Sequence, residues 1–494
     1  MKKTIVYLLL AAICLGLLTG CGDIVIDSPK PERTAAPAAS ASGGAKGAEI
    51  KLNGKSASFT GGGVSVNGST VTISSPGEYS ASGTLESGSI VVNTGEVKGD
   101  VTLTLRGAQI TNPNGAAVHV QQVNNFVLVL EQGTQNCLVS GEEGAAVPGV
   151  KLDGAALFAE DDVDILGEGS LEVIGYLNNG ITCKDDLDIL GGEITVSAVN
   201  NGVRGSESVE ISGGTLAITA GNDGIKSTSA LKEGKGFVTI SGGTIMVTAG
   251  GDGISAETEL TVTGGEISVT TTGAVAGVSC KGIKAKMLLS VSGGTILVDS
   301  EDHALHSSQN MLLTDGSFTL SSRAGKGISA NGAMEIHGGS YDVRSADDGI
   351  DAESALTVAG GEIRLLAGAD GLKAGNKTTG TGTIEIRGGT INVSAYADPI
   401  DAKSGAVISG GTFAGVGTSK TPKGFAAESS QRSLLFSLRG SEGSSAQVIA
   451  EANGAVVGTV EARCGYTVAL FSTPELTPGG HRLVLGSLSA SANA

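Results

Sequence analysis

The chain of 494 residues contains no tryptophan, and aromatic residues of all kinds make up only 3% of it. A flat stacking platform built from tryptophan is therefore excluded. Basic residues are also few: 32 Lys and Arg stand against 50 Asp and Glu, a net charge of −18. So acidic a surface repels nucleic acid, and it repels acidic polymers unless a cation stands between the two. Cysteine is scarce. Of six, Cys14 and Cys21 fall in the leader, and Cys137, Cys183, Cys280 and Cys464 show no CxxC spacing, which argues against a zinc or redox site. The one long apolar run, Ile5 to Leu18, is too short for a membrane span.

That run does have the layout of an export signal. Lys2 and Lys3 precede it, and Leu18-Thr19-Gly20-Cys21 has the small-residue-then-Cys arrangement of a bacterial lipobox. The expectation is a signal peptide over 1–20, acylation of Cys21, and a protein held at the bacterial membrane or cell surface by its lipid alone. Residues 21–48, rich in Pro, Ala, Ser and Gly, cannot bury a core and read as a flexible linker.

The rest of the chain is repetitive. The aliphatic residue of a recurring Gly-Ile-like turn falls at Ile181, Val203, Ile225, Ile254, Ile283, Leu305, Ile328, Ile350, Leu372 and Ile400, in steps of 22, 22, 29, 29, 22, 23, 22, 22 and 28. A second corner, usually Gly-Gly, falls at Gly192, Gly214, Gly243, Gly265, Gly294, Gly316, Gly339, Gly361, Gly389 and Gly411. Segments such as "GGTIMVTA" and "GGEISVTT" alternate with period two and are rich in β-branched residues. A 22-residue unit of short strands is one coil of a parallel β-solenoid. We therefore expect an all-β, right-handed, single-stranded parallel β-helix over 49–415, with an N-terminal cap, and a small C-terminal β-unit over 416–494 covering the open end. Two residues past the Gly-Gly corner comes an inward column from Ile194 to Phe413; two past the turn aliphatic comes a column of small residues from Cys183 to Ala402. Cys183 reads as a small core residue. It lies about 19 Å from Cys280, counting coils at about 4.8 Å, too far for a disulfide.

Two residues before the turn aliphatic, a position we call −2, the column runs Asn179, Asn201, Asp223, Asp252, Lys281, His303, Lys326, Asp348, Asp370 and Asp398. The Asn run reads as an amide ladder from coil to coil. The Asp run needs something more: carboxylates about 5 Å apart repel by roughly 3 kcal/mol per pair at an effective dielectric of 20. No base interleaves Asp348, Asp370 and Asp398 within the column, so a bound cation is the economical answer, with solvated acidic turns of raised pKa as the alternative. Oxygen-only ligands suit calcium. The candidate ligands are Asp223, Asp252, Asp302, Asp347, Asp348, Asp370 and Asp398. One residue after the aliphatic, at +1, Asp351, Lys373 and Asp401 alternate in sign and read as a surface ion-pair ladder. His303 and His306 read as surface or turn residues. Tyr176, Lys226, Lys373 and Tyr396 lie near the turns and are the candidate sugar contacts.

At "NNGITCKDDLDILGGEITVSAVNNGVRG", "AGNDGIKSTSA" and "SADDGIDAES" the chain resembles the clostridial-type polysaccharide-binding lipoproteins of the carbohydrate-binding domain-containing group. The resemblance covers roughly 49–490. It implies a pectate-lyase-like β-helix, calcium at the Asp-Gly-Ile turns, and non-catalytic binding of cellulose-like or pectic polysaccharide. Asn179, Asn201, Lys281, His303 and Lys326 stand where that pattern expects an acid. The partner is then a plant cell-wall or acidic glycan, with no nucleic acid, and the protein a monomer. Two other functions compete: a calcium-dependent lyase, for which Arg344 or Arg364 would supply the base, and a rigid surface spacer without glycan affinity.

Overall fold

The computed structural model describes residues 46–144, 154–273, 277–375 and 380–494. The expected signal peptide, Cys21 and nearly all of the linker lie outside the described residues. The first strand, Lys46–Gly54, begins inside the stretch read as linker.

Every described element is a strand. From Val203 to Ala395 each coil carries three: a three-residue strand at the Gly-Ile turn (Ile225–Ser227), a four-residue strand (Phe237–Ile240) and a six-residue strand (Thr244–Ala249). Each pairs in parallel with its counterpart in the next coil. The three-residue strands stack within a 15-stranded sheet, and the other two series lie within a 30-stranded sheet. The parallel β-helix expected from the repeat is thus the fold of the chain.

The registers reproduce the sequence columns. Ile194, Leu216, Ile245 and Ile267 are direct partners, and so are Phe318, Tyr341, Ile363, Ile391 and Phe413. All are fully or almost fully buried; removing an aliphatic side chain of this kind from water stabilises by about 1.5–3 kcal/mol. Phe318 and Tyr341 stack face to face with centroids 4.5 Å apart and an interplanar angle of 6°, and the Tyr341 hydroxyl donates to the Gly338 carbonyl at 2.8 Å. Cys183 is fully buried, and no disulfide joins Cys137, Cys183, Cys280 or Cys464.

The two glycine positions have different causes. At the Gly-Gly corner the second glycine has positive φ in all ten coils, from 82° at Gly214 to 128° at Gly316, a region where side chains are strained. The glycine before the turn aliphatic is instead a matter of space. A Cβ at Gly224, Gly253 or Gly371 would come within 2.2, 2.1 and 2.1 Å of Val247, Val269 and Val393. The Gly-Ile step therefore lets the turn close onto the six-residue sheet while the aliphatic side chain enters the core.

Both ends are covered. Lys46–Gly54 pairs antiparallel with Ala57–Gly61, and Val64–Asn67 with Thr70–Ile73. At the other end Thr412–Gly417, the last six-residue strand, continues across the expected boundary and pairs antiparallel with Tyr466–Ser472. That strand also pairs with Ser433–Gly440, and a separate four-stranded sheet completes the unit. The unit also reaches back along the solenoid. The Arg463 amide donates to Ser394 Oγ at 2.9 Å, and its guanidinium meets Asp342 at 2.6 Å.

Candidate functional site

The −2 column lies at the edge of the 15-stranded sheet. Where −2 is Asn or Asp, its Oδ1 accepts the backbone N–H of the same position in the next coil. Asn179 takes the amide of Asn201 at 3.0 Å and Asn201 that of Asp223 at 3.2 Å. Asp223 takes Asp252 at 2.9 Å and Asp252 takes Lys281 at 2.9 Å. Further on, Asp348 takes Asp370 at 3.1 Å and Asp370 takes Asp398 at 3.2 Å. His303 Nδ1 does the same for Lys326 at 2.9 Å. The column selects an acceptor that reaches one coil onward, because a buried N–H left unpaired costs about 1–3 kcal/mol. Asn and Asp are interchangeable for that task. The Asn ladder expected from sequence is present, with Asn200 Nδ2 also donating to Asn178 Oδ1 at 2.7 Å.

What neutralises the acids differs from expectation. The bases come from the +1 column, whose side chains reach across to −2. Lys373 Nζ lies 2.9 Å from Asp348 Oδ2 and 3.2 Å from Asp370 Oδ2. Lys226 meets Asp223 at 2.6 Å, and Lys284, one coil on, meets Asp252 at 2.8 Å. At Lys326, itself a basic −2 residue, the arrangement inverts and the lysine pairs with Asp351 at +1, whereas Lys281 pairs with Asp302. Asp351, Lys373 and Asp401 are therefore not rungs of one surface ladder. Asp351 and Asp401 are buried, and Asp401 is held by Lys403 and Lys423. Burial pulls the Lys373 ammonium down, but its hydrogen bonds and proximity to Asp348 and Asp370 outweigh that and hold it above the ordinary lysine range.

These residues do not fit calcium as they stand. At Asp223, Asp252, Asp348 and Asp370 one carboxylate oxygen is committed to an amide and the other to an ammonium. A cation would have to displace the lysine. Asp302 is paired with Lys281 at 2.6 Å. Asp398, half-buried, accepts the Lys423 amide at 3.4 Å, and burial, with Asp370 close by, raises its carboxyl above the usual range. Asp347 is half-buried on the solvent side of Asp348. Among the described residues no group of three or more His, Cys, Asp or Glu is placed to hold a metal ion.

Between the two Asp runs lies a basic island of Lys281, Lys284, His303, His306 and Lys326. His306 is buried within the strand Leu305–Ser307, contrary to its reading as a surface or turn residue, with Nδ1 unpartnered. Burial, then His303, Lys281 and Lys284, pushes its pKa down to about 3.

Two depressions open along the corner beside this face. One, of about 320 Å³, is lined by Asn178, Asn179, Asn200, Asn201, Arg204, Lys226 and Thr228. The other, of about 410 Å³, is lined by Ser321, Ser322, Arg323, Arg344, Ser345, Ala346, Leu366, Gly368 and Tyr396. The second follows from the repeat. Ser322, Ser345, Ala367 and Ala395 are register partners, so the residues just after them, Arg323, Ala346, Gly368 and Tyr396, occupy successive coils. Two small residues form a floor between an arginine and a tyrosine three coils away, about 14 Å along the axis. Tyr396 is 56% exposed. The Arg344 side chain beside it has no hydrogen-bond or ion-pair partner among the described residues. Arg364, by contrast, is paired with Glu362.

Of the four candidate sugar contacts, Tyr396 and Lys226 line depressions. Lys226 is also tied to Asp223, Lys373 is locked between two acids, and Tyr176 is half-buried two residues before Asn178. Arg323, Ala346 and Gly368 were not singled out from sequence. Their signal is the column that directly follows each six-residue strand, which becomes readable once that strand's end is known.

A protein from Acetivibrio thermocellus described as a carbohydrate-binding domain-containing protein is 36% identical over 137 residues. The match covers 28% of this chain and 48% of the relative, so the chain spans about half the length of the curated relative it matches. A solved polysaccharide lyase-like protein from C. thermocellum, a gadolinium derivative, is 32% identical and aligns over 51% of this chain and 94% of that one, with a TM-score of 0.42. The family model described as carbohydrate-binding domain-containing protein matches residues 67–324 and 315–462, nearly the whole solenoid and much of the C-terminal unit, and the chain belongs to that family.

Proposed function

We propose that this chain is an exported, lipid-anchored protein that binds polysaccharide without cleaving it, and that the glycan lies along the corner of the solenoid carrying the depression between Arg323 and Tyr396. The observation that carries the reading is the side-chain set of that depression. Tyr396 offers an exposed ring on which a sugar can stack, Arg344 offers unengaged donors, and Ala346 and Gly368 leave room for a short run of sugar rings. Aromatic and planar basic groups around a concave floor are what orient polar ligands with large apolar faces. Family membership supports the same class of ligand. The net charge of −18 makes an unpaired arginine here a local exception, which favours a glycan bearing carboxylates.

The lyase reading asks for a base beside a calcium-bound uronate. Arg344 lies on Ser340–Ser345, whereas the acid column lies at the three-residue strands, with its carboxylates engaged by lysine. The engagement of those carboxylates by lysine supports binding over cleavage. The test is affinity electrophoresis in gels containing pectic acid, cellulose or xylan, with calcium and with chelator, beside an absorbance assay for unsaturated uronate. We expect retardation by at least one glycan, weakened in Tyr396→Ala and Arg344→Ala, and no absorbance in either condition. Unsaturated product would replace this reading with the lyase. No retardation on any glycan would leave the solenoid as a spacer.

A further inference from the structure

The acid column sits inside the fold. Asp348 is 1% exposed and Asp370 is 9% exposed, and stacked carboxylates this deep need a counter-charge. The Lys373 ammonium contacts three of their four oxygens: Asp348 Oδ1 at 3.2 Å, Asp348 Oδ2 at 2.9 Å and Asp370 Oδ2 at 3.2 Å. It grips one carboxylate with both oxygens and the next coil's with one. The fourth oxygen, Asp370 Oδ1, accepts the Asp398 amide. A divalent cation bridging the two coils would use the same oxygens, at the shorter distance of about 2.3–2.6 Å.

We propose that the turn stack is neutralised from within: Lys373 occupies the place a divalent cation would take between Asp348 and Asp370, so these coils fold without one. Two observations beyond the distances point the same way. The arrangement recurs, with Lys226 on Asp223 and Lys284 on Asp252. It also survives reversal of sign, since a basic −2 residue, Lys326, is met by an acidic +1 residue, Asp351. A column evolved around a metal would have no use for that exchange, because a lysine at −2 removes a ligand without replacing it. Asp351 Oδ1, buried and without a partner, belongs to the same turn. This inference is independent of the polysaccharide reading.

The test is urea or thermal unfolding of the full chain in millimolar calcium chloride and in chelator. For the wild type we expect the same midpoint in both. For Lys373→Gln we expect a lower midpoint in chelator, raised by calcium, with one more calcium bound per chain than the wild type by equilibrium dialysis. Lys373→Arg should keep the insensitivity to calcium. Should Lys373→Gln not fold, Lys226→Gln at Asp223 serves in its place, with the same expected gain of a calcium response. A wild-type midpoint that rises with calcium and loses that rise in Asp370→Asn would overturn the proposal. So would a Lys373→Gln protein that folds, is destabilised and gains nothing from calcium, because the lysine would then not stand where a cation can.

Discussion

The coils around Asn179 and Asn201 and those around Asp348, Asp370 and Asp398 solve the same backbone problem with different charges. In both, a side-chain oxygen at −2 accepts the next coil's amide at 3.0–3.2 Å. In the first region the ladder is neutral, and the neighbouring +1 residue Arg204 only donates to Thr228 Oγ1 at 3.3 Å. In the second each oxygen carries charge, and a lysine is drawn in between. Hydrogen bonding sets the geometry of the column, and charge decides only what must stand beside it. A repeated acid in a solenoid turn is therefore not by itself a metal site, since a buried carboxylate can be there first as an acceptor.

The comparison breaks most visibly at the lysine. Replacing Lys373 by Met leaves two buried carboxylates facing each other, and truncating one partner of a buried pair costs about 3–5 kcal/mol. The equivalent change at Arg204, which has no acid to abandon, should cost about 0.5 kcal/mol. Urea unfolding of the two variants measures the difference, and equal losses would mean that charge is not what separates the regions. Adding Asp348→Asn and Asp370→Asn to the Lys373→Met protein converts the second region to the chemistry of the first. Most of the loss should then return, read as a strong coupling in a mutant cycle.

Next in size is the amide acceptor. Asn201 Oδ1 takes both the Asp223 amide and Asn222 Nδ2, at 3.2 and 3.0 Å, so Asn201→Ala should cost about 1–3 kcal/mol. Asp370→Ala should cost more, because Lys373 also loses a partner. Hydrogen exchange at the Asp223 and Asp398 amides locates the damage in each.

The smallest effect sharpens the boundary between the regions. His303 and His306, beside Lys281, Lys284 and Lys326, are held neutral by burial and by those positive neighbours. The unfolded chain binds protons at these rings below about pH 6.5, whereas folded His306 does so only near pH about 3. The unfolded state thus holds more protons across that interval. The stability contributed is fully present above about pH 6.5 and is lost as pH falls toward 3. His306→Gln should flatten the decline of the unfolding midpoint between pH 6 and 4, and an unchanged slope would remove His306 from the account.

Much of this was legible in the sequence because a solenoid is almost one-dimensional. Once the 22-residue step is recognised, residues one coil apart are neighbours, and the Asn ladder, the aromatic and aliphatic stack and the small-residue column follow from counting. The fate of the Asp column was not. Its bases lie at +1, and whether a lysine at that position points along its own column or across to −2 depends on burial and side-chain reach. Lys226 turns to the acid of its own coil, Lys284 to the coil before, and Lys373 to both. The depression at Arg323 and Tyr396 was hidden for a related reason: its floor is defined by what small residues leave open.

By itself, then, the sequence determined the coil, its period, the inward columns and the recurrence of an acceptor at most turns, because local period and coil-to-coil stacking share one register. Only the tertiary structure decided which charges pair, where the C-terminal unit folds back from Arg463 onto Asp342 and Ser394, and which corner stays open beside Tyr396. Those outcomes depend on distances between columns and between domains, which no period along the chain encodes.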